Sequence, residues 1–141
     1  MSSSSSLVGK PLPDMAGVLV SNPSTKVSLK KLMEKGKRMV ICFVSKTQSP
    51  VETNAAVQKM EEGKFQVKDK AVFVIVSLDF QKAAQELHAE QAIRKCIHVF
   101  ASTQGKELSI VRTPAHFVIA ADGKVLMATE EEVAPYMSLV L

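Results

Sequence analysis

Met39-Val40-Ile41-Cys42-Phe43-Val44 and Ala71-Val72-Phe73-Val74-Ile75-Val76-Ser77 are continuous apolar runs rich in β-branched residues. Such runs mark strands buried on both faces, as parallel sheets require. Between them stands Ser49-Pro50-Val51-Glu52. Ser at N-cap, Pro at N1 and Glu at N3 form a capping box that opens a helix. The pattern predicts a helix from Pro50 to about Glu62, stopped by Gly63. After the second run, Asp79 is placed to cap a helix carrying Ala83, Ala84, Leu87 and Ala92 as far as Ile93, with Arg94 and Lys95 suiting its negative end.

Outward from this centre the elements shorten. Val18-Leu19-Val20 is a brief apolar run closed by the turn Ser21-Asn22-Pro23-Ser24. Ser28 is placed to cap a short helix through Leu29 and Leu32 to Gly36. Ile97 to Ala101 reads as a strand. Phe117-Val118-Ile119-Ala120, the turn Ala121-Asp122-Gly123-Lys124 and Val125-Leu126-Met127 read as a hairpin. Thr129 with Glu132 opens a last helix bearing Val133, Tyr136 and Met137. Strands alternating with helices predict one α/β domain over residues 7–141, a mixed central sheet flanked by helices. Residues 1–6 form a Ser-rich tail with no signal-peptide pattern, which leaves a cytoplasmic setting as the expectation.

Composition excludes several classes. Across 141 residues, 46% are hydrophobic and 23% charged, so the chain is neither disordered nor collagen-like. No run is long enough for a membrane span, and no membrane partner is expected. Without Trp and with one Tyr, a base-stacking surface is not expected, nor is nucleic acid as a partner. Two cysteines make no disulfide scaffold. His88, His98 and His116 have no metal-ligand spacing, so neither metal nor cofactor is expected. The net charge is +4, and Lys26, Lys30, Lys31, Lys35, Lys37 and Arg38 form a basic stretch: a solvated face, or a patch for an acidic partner.

The order of elements, with Val8-Gly9-Lys10-Pro11-Leu12-Pro13-Asp14, Val27-Ser28-Leu29 and the Asp122-Gly123-Lys124-Val125 hairpin, resembles the thioredoxin-like superfamily, and within it the peroxiredoxins and atypical thiol peroxidases. The resemblance implies a thioredoxin-like sandwich. In the peroxiredoxin register, Ser49-Pro50-Val51-Glu52 matches their Thr/Ser-x-x-Cys motif with Glu52 at the reactive cysteine. The resolving cysteine falls on His88 and the catalytic arginine near Arg112 or Pro114. In a thioredoxin register, a Cys-x-x-Cys motif falls on Gln48-Ser49-Pro50-Val51, and Thr113-Pro114 matches the cis-proline site. Neither register has a cysteine at the helix start.

A carboxylate cannot enter the sulfenic-acid chemistry of a thiolate. Thiol peroxidase activity is therefore not expected. Glu52 either closes the capping box or offers a fixed carboxylate to a ligand. The reading that follows is a redox-inactive binding or scaffold module. It uses the surface of Thr47, Gln48, Ser49, Glu52, Arg112, Thr113, Pro114 and His116, with a protein as partner. The resemblance also admits a homodimer. The alternative is a thiol oxidoreductase or weak peroxidase working through Cys96, whose neighbours Arg94 and Lys95 are expected to lower its pKa. Cys42 is read as a small buried hydrophobe.

Overall fold

The computed structural model describes residues 7–101, 110 and 112–130. Its elements in chain order are β1 (Ala16–Leu19), β2 (Lys26–Ser28), α1 (Leu29–Leu32), β3 (Arg38–Val44), α2 (Pro50–Val67), β4 (Ala71–Ser77), α3 (Gln81–Glu90), β5 (Ile97–Phe100), β6 (Ala115–Ile119) and β7 (Val125–Thr129). A 3-10 turn, Lys68–Lys70, joins α2 to β4. The strands form one mixed sheet in the order β2-β1-β5-β4-β3-β6-β7. β3 and β4 run parallel at its centre, from Arg38 opposite Ala71 to Val44 opposite Ser77.

Both central strands are buried on both faces, and the period-2 alternation of side chains divides the core in two. Met39, Ile41, Phe43, Val72, Val74 and Phe117 join Leu29 of α1 on one side. Val40, Cys42, Phe73, Ile75 and Val118 meet Val57 and Met60 of α2 and Leu87 of α3 on the other. The Asp122-Gly123 turn joins β6 to β7 as expected. Gly123 adopts a positive φ of 92°, which a side chain would strain.

Several local expectations are corrected. The sheet has an additional strand, β2, where only a helix cap was foreseen. Ser28 makes no cap bond and gives its hydroxyl to Asp14 instead. α1 is one turn long and does not reach Gly36. α2 passes through Gly63 to Val67, since Gly63 is buried and packing outweighs its poor helix propensity. Asp79 is not the cap of α3; Phe80 is, and the helix ends at Glu90, short of Ile93. The last helix foreseen from Thr129 and Glu132 lies outside the described residues.

Candidate functional site

β3 and β4 are parallel, so their C-terminal ends emerge together, and the loop from Ser45 to Ser49 leads from β3 into α2. Asp79 holds this loop. Its buried carboxylate accepts hydrogen bonds from Ser45 Oγ (2.6 Å), the Lys46 backbone N–H (2.6 Å) and Thr47 Oγ1 (2.7 Å). Lys46 in turn reaches Glu90 at 2.9 Å and Glu86 at 3.1 Å on α3. Thr47 is thus engaged with Asp79 and is not among the residues that line the cleft described next.

The start of α2 faces the segment leading into β6. A cleft of about 550 Å³ lies between them, lined by Gln48, Ser49, Glu52, Arg112, Thr113, Pro114 and His116. It gathers every residue of the expected binding surface except Thr47. Ala55, Ala56, Lys59 and Glu130 complete the lining. Sequence reasoning passed over them, although Glu52, Ala55, Ala56 and Lys59 recur at the i, i+3, i+4, i+7 spacing of one helix face.

Ser49 does not form the capping box. Its hydroxyl is shared with Thr113 Oγ1 across the cleft at 2.9 Å, and it reaches Ser45 O at 3.3 Å. Glu52 is thereby released from the cap and lines the cleft. The Thr113–Pro114 bond is cis, as the thioredoxin register implies. His116 lies on β6 opposite Cys42, and burial first, then the charge of Lys59, pushes its pKa down to about 4. It is therefore neutral at pH 7. The Glu130 side chain is only 3% exposed, with Arg112 Nε 4.0 Å away.

His88 is not part of this site. It stacks on His98 at 5.3 Å between ring centroids, and their Nδ1 atoms lie 3.1 Å apart. His98 Nε2 meets Ser77 Oγ at 2.7 Å, and burial drives the His98 pKa down to about 3. Burial also lowers the His88 pKa.

Neither cysteine lines the cleft. Cys42 is fully buried in β3, and burial pushes its thiol up to about 12. Cys96 is buried too, and its pKa is raised by burial and then by the Glu61 carboxylate. This corrects the expectation for Arg94 and Lys95. Their backbone N–H groups, and that of Cys96, wrap Glu61 at 2.7–3.2 Å, so the nearest charge to the sulfur is negative.

No protein-family model and no curated protein matches the sequence. Solved structures do match. The thioredoxin domain of a thiol-disulfide oxidoreductase from Bacteroides vulgatus superposes with TM-score 0.77 at 19% identity, covering 94% of this chain and 94% of that one. A thiol-disulfide oxidoreductase from Bacteroides fragilis gives TM-score 0.77 at 16% identity, covering 92% and 97%. A secreted Mycobacterium tuberculosis disulfide oxidoreductase homologous to E. coli DsbE gives 0.68 at 14%, covering 89% and 91%.

Proposed function

We propose that this chain, which has the thioredoxin-like fold of those structures, is a binding module that holds an extended protein segment in the cleft between the start of α2 and Thr113–Pro114, without thiol chemistry of its own. One observation carries the reading. The turn that opens α2 presents Gln48, Ser49, Pro50, Val51 and Glu52 but no sulfur, while both thiols are buried elsewhere. The cleft supports it with mixed recognition chemistry: hydroxyls at Ser49 and Thr113, charges at Glu52, Lys59 and Arg112, and an apolar wall at Ala55 and Pro114. The names of the matching structures favour the thioredoxin register over the peroxiredoxin one. The proposed setting is cytoplasmic.

Selection of unstructured peptides from a displayed library tests the proposal. Binders should emerge, and Ala55→Trp, which fills the cleft from an exposed helix position, should weaken them at least tenfold while leaving the fold intact. Failure to select any peptide, or indifference of the binders to Ala55→Trp, refutes it.

A second reading is favoured by the activity in those neighbours' names: a thiol-disulfide oxidoreductase, which in this chain works through Cys96. It requires the Cys96 segment to open, since a thiol buried beside Glu61 is a poor nucleophile. Thiol release from a model disulfide by the parent chain, with Cys96 left in a mixed disulfide that an added dithiol resolves, and its loss in Cys96→Ser, would replace the binding reading with this one.

A further inference from the structure

The end of the sheet opposite the cleft collects cations from segments far apart in sequence. Arg38 and Ala71 are paired at the starts of β3 and β4. The loop before β3, with Lys35 and Lys37, and the Lys68–Lys70 turn before β4 therefore lie at the same end of the sheet. Lys64 ties the end of α2 to that place by donating to Ala71 O at 3.3 Å. Lys35, Arg38, Lys68 and Lys70 are all exposed. At the same end Phe65 is 66% exposed, with the Lys95 ammonium 5.6 Å from its ring centre. Acids share this end but are partly engaged. Glu34 pairs with Lys37 at 3.1 Å, and Glu61 is wrapped by backbone N–H groups. Asp69 lies 3.9 Å from the Lys64 ammonium, and Glu62 is exposed.

We infer that this pole is a docking surface for an anionic phospholipid bilayer. Its cations are chiefly lysines on long stems, spread over several connections. That suits a fluid array of phosphates better than the fixed, forked recognition of one carboxylate, which arginine performs. An exposed ring among them can enter the headgroup region, as interfacial segments do. Each lysine brought to an anionic surface adds attraction, and the cytoplasmic leaflet is the anionic one. The inference departs from the sequence expectation of no membrane partner. It needs no spanning segment, and among the described residues no helix could provide one.

Cosedimentation of the full chain with phosphatidylcholine vesicles, with and without phosphatidylserine, tests it. Binding should require phosphatidylserine and weaken as salt rises. Lys35→Gln/Lys68→Gln/Lys70→Gln should lower affinity on the order of 100-fold. Phe65→Ser should weaken binding without changing its salt dependence. Lys82→Gln, in the first turn of α3 at the other end, should leave it unchanged. Equal binding to both vesicles, no binding to either, or a triple variant that binds like the parent overturns the inference. Binding to polyglutamate or duplex DNA with none to vesicles also overturns it, and gives the surface to an acidic protein or to nucleic acid.

Discussion

Asp79 shows what one buried carboxylate does here. It satisfies three donors of the loop that delivers Ser49 to the cleft. Asp79→Ala leaves those donors orphaned, and urea unfolding should show a loss of about 2–4 kcal/mol. Peptide binding in the cleft should weaken in the same variant, because the loop loses its anchor. The cysteines make the opposite case. Burial raises both thiol pKa values, so thiolate is scarce at neutral pH. Alkylation of the folded chain should be more than ~100-fold slower than that of the unfolded chain. A fast-reacting native thiol would contradict the buried placement of Cys96.

The element that matters most for chemistry is α2. Its first turn offers backbone N–H groups and the positive end of the helix dipole to whatever faces them. In this chain the positions there carry no thiol, yet the environment that favours an anion remains. Gln48→Cys, the first cysteine position in the thioredoxin register, should therefore yield a thiol with pKa below the free value of about 8.5. The rate of its alkylation against pH reads this directly. A value at or above about 8.5 means that the helix start does not act on this position. Glu61, in the body of the same helix, tethers the connection between α3 and β5. Burial opposes its ionisation, but the N–H groups of Arg94, Lys95 and Cys96 outweigh that and hold its pKa below 4.5.

At the scale of the molecule, buried histidines among the described residues shape the response to acid, His98 and His116 most, with His88 shifted the same way. His98 and His116 are buried, with pKa values of about 3 and about 4 against 6.5 for an exposed imidazole. The unfolded chain takes up these protons first as pH falls through 6.5, so stability declines from there towards the folded values. Between neutral pH and about pH 5 the loss should be roughly 3–4 kcal/mol. A His98→Gln/His116→Gln chain should keep a flatter profile in urea unfolding at the two pH values. The Glu61 contribution follows at lower pH: it is present above about 4.5 and lost as pH falls through its lowered folded value. The molecule also divides by pole, with the cleft at the C-terminal ends of β3 and β4 and the lysines at their N-terminal ends.

The sequence by itself determined the central architecture. Two uninterrupted β-branched runs must be buried on both faces, and Pro50 after Ser49 must start a helix between them. Asp122-Gly123 must turn a hairpin. Each of these signals acts over a few residues and is settled by local sterics and burial. It also determined that no cysteine stands at the helix start, and it named most of the cleft. Only the tertiary structure decided which polar groups serve which partners. Ser49 reads as a cap but bonds Thr113, 64 positions away. Asp79 reads as a cap but holds a loop 32–34 positions upstream. Cys96 reads as a thiol beside two cations but lies against Glu61, 35 positions back. Hydroxyls and carboxylates bond equally well to local or distant donors, and the choice falls to whichever donors the packed sheet brings within reach and out of water.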